Sequence, residues 1–372
     1  MRNGWQNKPL GEVCTLQRGF DLPTGDRSPG PVPLVSSSGI IDSHDQSAVA
    51  GPGVITGRSG SIGNVFYVEE DFWPLNTTLF VSDFRGNHPR FIHYLLLQVD
   101  LKSLSGGTGV PTLNRNIVHA KLVGCPGSVE EQRRIVTLLD DAFEGIATAK
   151  AHAEQNLRNI KALFAARLTE FFRLDDDMVR LAELAVSISD GDHAPPPKAS
   201  AGVPFITISN IDKETRQIDF TDTFLVSQAY FDELKPHRRP LPGDVLYTVT
   251  GSFGIPVLVE EDRAFCFQRH IGLVRPKPDV DGKWLSYALL SPMAFAQADA
   301  GATGTAQRTV SLNVLRSMQM PKLPIGEQRR QARELDALAT EVARLASIYQ
   351  RKLTALTELQ QSLLHQAFTG QL

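Results

Sequence analysis

Nine histidines and 41 carboxylates give this chain ample material for acid–base or metal chemistry, so the first question is whether they converge. Several stretches come close to a recognisable constellation. "SGGTGV" (from Ser105) and "TGSFGI" (from Thr250) are rich enough in glycine to cradle a phosphate. Neither completes a dinucleotide fingerprint, and no Gly-x-x-x-x-Gly-Lys-Ser/Thr loop occurs. "HAPPPK" (from His193) lacks the Asn-Pro-Pro-Tyr or Asp-Pro-Pro-Tyr order that an amino-methyltransferase needs. "PDVDGK" (from Pro278) has an Asp…Lys order but no second acid before Lys283, and reads as a turn. Cys14, Cys125 and Cys266 are scattered without metal-ligand spacing and fit a reducing cytoplasm. The expectation is a chain that binds rather than catalyses, with no metal or cofactor of its own.

One polar phrase occurs twice. Glu131-Gln132-Arg133-Arg134 returns as Glu327-Gln328-Arg329-Arg330, 196 residues later. Each copy opens a long stretch with helical spacing. After Pro126, which stops an earlier helix from running in, Ser128 and Glu131 form a capping-box pattern. Apolar residues then recur at Ile135, Leu139, Ala142, Ile146, Leu157, Ile160, Leu163 and Leu168. The second stretch carries Leu335, Leu338, Val342, Leu345, Tyr349, Leu353, Leu356, Leu359 and Leu363, a heptad seam. The offset of 196 holds throughout, pairing Leu139 with Leu335, Asp140 with Asp336, Leu157 with Leu353 and Phe172 with Phe368. Each helix is expected to be roughly 60 Å long at 1.5 Å per residue. Either alone leaves an apolar stripe wet, so the two are expected to pair as an antiparallel coiled coil.

The segments before each helix echo each other as well. Gly60-Ser61-Ile62-Gly63 aligns with Gly251-Ser252-Phe253-Gly254, and Glu69-Glu70-Asp71 with Glu260-Glu261-Asp262, both at an offset of 191. These segments read as short strands punctuated by Gly and Pro, such as "GVIT", "NVFYV", "TLFVSDF", "DVLYTV" and "IGLVRP". Each also holds a short apolar helix, "PRFIHYLLLQV" or "KWLSYALLS". The expected architecture is α+β. A mixed, strand-rich head (1–127) precedes a long helix (128–177), and a second head (178–323) precedes a second long helix (324–372). The two halves are related by a pseudo-twofold repeat. Those four segments carry net charges of 0, −3, −1 and +1, so none is strongly basic. No apolar run reaches the ~18 residues of a membrane span, and the start has no apolar signal region, so a cytoplasmic location is expected.

With both helix openings, Pro126 to Arg134 and Pro321–Pro324 to Arg330, the chain resembles the specificity subunits of type I restriction–modification systems. The second half adds "ISDGDHAPPP" (from Ile188), "GVPFITISNID" (from Gly202), "IDFTDTFLVSQAYFD" (from Ile218) and "PGDVLYTVTGSFG" (from Pro242), and the chain closes on "LLHQAFTGQL". The resemblance covers nearly the whole chain. It implies two target-recognition domains, each reading one half of a bipartite double-stranded DNA target, and two spacer helices that set the gap. It further implies two modification subunits that dock on the helical regions, bring S-adenosylmethionine and methylate adenine. Restriction subunits then join for cleavage. A helix of roughly 60 Å spans about 18 base pairs. The near-neutral charge implies shared phosphate contacts and weak DNA binding by the chain alone.

Base edges are read by donors and acceptors on exposed loops, Arg suiting guanine and Asn or Gln suiting adenine. In the first head the candidates are Gln17, Arg18, Arg58, Ser59, Ser61, Asn76, Thr77 and Thr108. In the second they are His193, Thr250, Ser252, Gln268, Arg269, Thr305, Gln307 and Arg308. The second head's "VTGSFG" lacks the basic residue that "GRSGSIG" has at Arg58. For partner subunits, the candidates are Glu131, Gln132, Arg133 and Arg134 with Glu327, Gln328, Arg329 and Arg330. Two other readings share parts of this pattern. One is a coiled-coil scaffold whose heads bind protein and not DNA. The other is a methyltransferase or nuclease in its own right, which the missing cofactor loop and acidic site disfavour.

Overall fold

A computed structural model describes residues 4–106, 111–174, 177–191, 196–305, 307–369 and 371–372. The chain forms two compact units: unit 1 holds Met1–Glu154 with Gln350–Leu372, and unit 2 holds Gln155–Tyr349. Two long helices, Val129–Phe171 and Ile325–Thr369, each contribute to both units.

Unit 1 opens with strand Trp5–Pro9, which pairs antiparallel with Leu122–Pro126, the strand that leads into the first long helix. Between them lies a four-stranded antiparallel sheet, ordered Thr15–Arg18, Thr78–Asp83, Gly53–Gly57, Val65–Val68. A smaller sheet joins Gly39–His44, Val32–Ser36 and Trp73–Pro74. Unit 2 repeats every part. Met178–Arg180 pairs with Gln319–Pro321 ahead of the second long helix. The large sheet runs Ala185–Asp190, Ile271–Pro276, Val245–Thr248, Pro256–Leu258, and the small one Phe224–Val226, Val203–Ile206, Cys266–Phe267.

In each unit a short helix ties the head to the long helices. Pro89–Gln98 buries Phe91, Ile92, Leu95 and Leu96 against Ile135 and Leu139 of the first long helix and Ala367 and Phe368 of the second. Its counterpart, Gly282–Leu290, buries Trp284, Leu285 and Ala288 against Leu168, Phe172, Ala332 and Leu335. The same ring pair recurs, Phe91 with Phe368 at 5.2 Å and Trp284 with Phe172 at 5.8 Å. So does a carboxylate node. Asp140 accepts from the Tyr94 hydroxyl and from Arg90 Nε (3.1 Å), and Asp336 accepts from the Tyr287 hydroxyl (3.1 Å) and from Lys283 Nζ (3.2 Å).

The long helices run antiparallel within each unit. In unit 1, Arg134 reaches the Leu372 carbonyl (3.1 Å) and Lys150 reaches Gln360 (3.2 Å). In unit 2, Arg167 pairs with Glu334. The seam departs from the expected stripe in two places. Leu163 is 58% exposed, and Phe164, one residue on, packs against the unit 2 core in its stead. Leu359 is 46% exposed, because a two-helix seam covers only its central row.

Within unit 1, the Tyr67 ring lies under the Arg90 guanidinium (4.7 Å) and edge-on to the His93 ring (5.7 Å). Burial, with Arg90 beside it, depresses the His93 imidazole to about 4. The unfolded imidazole titrates near 6.5, so below that pH the unfolded chain takes up a proton that native His93 refuses. Unit 1 should therefore lose stability as pH falls from 6.5 towards 4. Thermal unfolding between pH 7 and 5 should show this slope, and His93→Gln should flatten it.

Candidate functional site

The first head gathers most of its candidate readers on one surface. The backbone amides of Arg58 and Ser59 donate to the Thr77 carbonyl (2.8 and 3.2 Å), which holds the Gly-Ser-Ile-Gly turn beside the Asn76–Thr77 loop. Arg58 Nη1 reaches the Asn76 carbonyl (3.4 Å), Asn76 Nδ2 donates to Asp21, and Arg18 lies 3.6 Å from Asp21. Arg18, Arg58, Ser59, Asn76 and Thr77 are thus linked. Ser61 lies on the turn itself, and Gln17 is exposed beside Arg18 on its strand. A concavity of about 310 Å³, lined by Asp21, Ile41, Asn76 and Thr77 among others, sits at this surface. Ile40 and Ile41 stand exposed on the neighbouring strand. Thr108 lies outside the described residues.

The second head builds the corresponding surface from different segments. Thr250 is buried, with its hydroxyl 3.5 Å from Thr309 Oγ1, and so supports the turn instead of projecting from it. Ser252, Gln307 and Arg308 meet at the Gly-Ser-Phe-Gly turn, where the Gly251 amide donates to the Arg308 carbonyl (3.0 Å). Arg308 lies over the Phe253 ring (5.5 Å) and pairs with Asp299. Gln268 and exposed Arg269 lead into strand Ile271–Pro276, and Arg269 shares a concavity of about 270 Å³ with Asp190, His270 and Thr309. Thr305 is exposed, apart from these bonded groups, and His193 is outside the described residues.

Strand registers align the two surfaces residue by residue. Gly57 opposite Thr78 corresponds to Thr248 opposite Ile271, which places Asn76 and Arg269 at equivalent positions. The turn glycines Gly63 and Gly254 share left-handed backbone, at φ +90° and +89°, which suits only glycine. Each is also capped, Gly63 by the Lys102 side chain and Gly254 by the Phe295 ring, where an added Cβ would lie 2.8 Å from either.

Sequence reasoning missed these two caps and one further cation. Lys213, from the segment between Ile206 and Phe224, donates to Ser252 Oγ (2.9 Å) and brings a positive charge to the turn that lacks Arg58's equivalent. No local pattern points to it, because the two residues lie 39 apart and meet only through the fold.

The repeated Glu-Gln-Arg-Arg phrase divides by face. Gln132 and Gln328, expected at the partner surface, are buried at 1% and 2% exposure. Gln132 Oε1 accepts from the His88 amide (2.8 Å), and its Nε2 donates to Asn87 Oδ1 (2.7 Å) and the Pro126 carbonyl (3.4 Å). Gln328 does the same, accepting from the Asp281 amide (2.8 Å) and donating to the carbonyls of Leu323 (2.7 Å) and Asp279 (3.3 Å). Each glutamine therefore caps the short core helix of its unit. The signal was present, since Gln132, Ile135 and Leu139 share one helix face. The arginines face outward. Arg134 pairs with Glu131 (2.8 Å) and Arg330 with Glu327 (2.7 Å), while Arg133 and Arg329 are exposed. These acids sit in the first turn, where they favour the helix dipole and offset the adjacent cations.

Burial pushes the Cys14 thiol up to about 12 and the Cys125 thiol up to about 11, so both stay protonated. Among the described residues, no group of His, Cys, Asp and Glu is arranged to hold a metal, and no helix is long and apolar enough to cross a membrane.

Residues 2–158 match the family model of the type I restriction modification DNA specificity domain. The first head and the start of the first long helix thus carry a type I specificity domain. A chain solved in work on complex assembly and conformational transition of the type I R-M system shares its fold. It is 22% identical, with a TM-score of 0.79 over 100% of this chain and 99% of that one. The HsdS subunit from Thermoanaerobacter tengcongensis is 24% identical, with a TM-score of 0.59 over 100% and 98%. No curated protein matches. The family-model match lies on the first head and part of the first long helix, and the internal repeat extends the same fold through the second half.

Gln132→Ala should remove the cap and leave the His88 amide and the Asn87 side-chain oxygen without their glutamine partner, at a cost of about 1–3 kcal/mol. Arg133→Ala, on the exposed face, should stay within about 0.5 kcal/mol. Denaturant unfolding of the full chain separates the two.

Proposed function

We propose that each head reads one half of a bipartite DNA target, that the paired helices set the gap, and that two modification subunits dock on the helical regions. On this reading the chain performs no covalent step. The modification subunits bring S-adenosylmethionine and methylate adenine, and restriction subunits join the same assembly in the cytoplasm. The observation that carries it is a duplicated surface whose skeleton is kept and whose polar groups differ. Asn76 and Arg269 occupy one position in the two heads, and they are the side chains suited to adenine and to guanine. Lys213 and Arg58 then serve as phosphate contacts of the two turns, and the outward Arg133 and Arg329 with their first turns serve the partner.

Single-molecule methylation mapping in cells expressing the chain with its neighbouring modification subunit tests this directly. A split adenine-methylated motif that needs the chain is expected. An active modification subunit with no such motif would leave the two-headed protein scaffold as the better reading. In the reconstituted complex, Arg269→Ala should relax one G·C position of the second half-site, by about 1–3 kcal/mol, and leave the first half-site intact. Lys213→Ala should do the reverse, lowering the salt slope of binding by about one without changing any letter of the motif. Deleting one heptad from each long helix should shorten the gap and preserve both half-sequences. Altered half-sequences would contradict a division of labour between heads and helices.

A further inference from the structure

Unit 2 contains a cavity of about 400 Å³ that opens on one side to solvent. Its floor is the short helix Gly282–Leu290, through Lys283, Ser286 and Leu290, with Asp336 of the second long helix. The equivalent place in unit 1 is filled by the chain itself. Val54 opposite Tyr67 corresponds to Val245 opposite Leu258, so Leu258 stands where Tyr67 does. The capped helix starts, His88 and Asp281, are 193 residues apart, so Ser286 stands where His93 does. Two rings in unit 1 have thus become an isobutyl group and a hydroxymethyl group in unit 2. What surrounded the rings remains. Lys283 keeps Arg90's bond to the aspartate, and Tyr287 keeps Tyr94's.

The outer wall is also particular to unit 2. The small sheet of unit 1 turns tightly between Val32–Ser36 and Gly39–His44, whereas the same strands in unit 2, Val203–Ile206 and Phe224–Val226, are joined by a long excursion. That excursion supplies Arg216 and Phe220 to the wall, with Arg263 stacked on Phe220 at 4.0 Å. Among the described residues, neither Arg216 nor Arg263 lies within ion-pair distance of a carboxylate, though both share the lining with Glu260 and Glu261. Glu260 lies 3.7 Å from Lys283, so the guanidinium faces of Arg216 and Arg263, beside a floor that accommodates rings elsewhere in the same chain, suit a planar aromatic group.

We propose that this cavity receives an aromatic side chain of the protein subunit that docks on the second long helix, in the place that Tyr67 and His93 fill in unit 1. A protein source is favoured because Asp336 lies only six residues beyond Arg330, on the helix whose first turn faces outward. This inference rests on the assembly proposed above and adds an asymmetry to it. A partner at unit 2 gains a contact that an identical partner at unit 1 finds already occupied.

The test restores the filler of unit 1 in unit 2. Leu258→Tyr with Ser286→His introduces rings that this fold already packs once. Native mass spectrometry of the full chain titrated with the modification subunit should show two unequal binding steps for the natural sequence. In the double variant the tighter step should weaken by about tenfold, the worth of a desolvated cation–ring contact, towards the weaker one. Arg263→Ala, an exposed side chain whose removal leaves the fold intact, should weaken the same step severalfold and guards against a misfolded double variant. Both steps unchanged in both variants would overturn the inference. A natural chain that binds no modification subunit at all would instead overturn the assembly reading, and this contact with it.

Discussion

A short helix cannot bury its first amides without something to accept from them, and that constraint organises both units. Gln132 and Gln328 meet it from the first turns of the long helices, each with one carbonyl and one amide group directed into the head. The bond does more than satisfy a donor. It fixes the short helix, and with it the large sheet and the turn at its edge, to a defined point on the long helix. The carboxylates Asp140 and Asp336, two turns further on, add a second point of attachment. Two fixed points along one helix face leave little freedom for the head to swing. On the proposed reading, heads that read bases and helices that set a distance would be useful together only if joined this rigidly.

The two heads diverge where packing permits. The sheet order, the capped helix, the ring pair and the left-handed glycines of the turn are all kept. On the surface of the same skeleton, Asn76 becomes Arg269, Lys102 gives way to Phe295, and the cation of Arg58 is supplied from a distance by Lys213. Conserved geometry under changed polar groups is what two readers of unlike half-sequences require. A pair of identical protein-binding heads would have no cause to exchange an amide for a guanidinium at one equivalent position.

Much of this was legible in the sequence because the signals are long or repeated. Helices of 43 and 45 residues declare themselves through periodicity, and their constant offset declares the duplication. The short strand pairs that close each head were not legible. Trp5–Pro9 and Leu122–Pro126 are five residues each, and the partners are more than a hundred residues apart. Leu163 was misread because periodicity in the last turns of a long helix tolerates a shift of one position, and Phe164 won the inward place by size. At the site, turn residues were found through their types, yet Thr250 proved to be support and Lys213 was invisible. Side-chain type predicts which groups suit a base or a phosphate, but only the fold decides which of them reach the surface.

Charge sets the last constraint. A chain with a net charge of −3 gains little from phosphate neutralisation, so binding by the isolated chain would lack the term that dominates affinity for duplex DNA. Several of its surface arginines are also held close to carboxylates, as Arg134 is by Glu131, Arg308 by Asp299 and Arg330 by Glu327 and Glu334. Such pairs orient a guanidinium without lending the surface a strong field. The arrangement favours discrimination over adhesion. On the reading proposed above, such a chain would contribute direction to an assembly whose affinity comes from elsewhere, and weak binding on its own would keep it from occupying DNA without the subunits that act there.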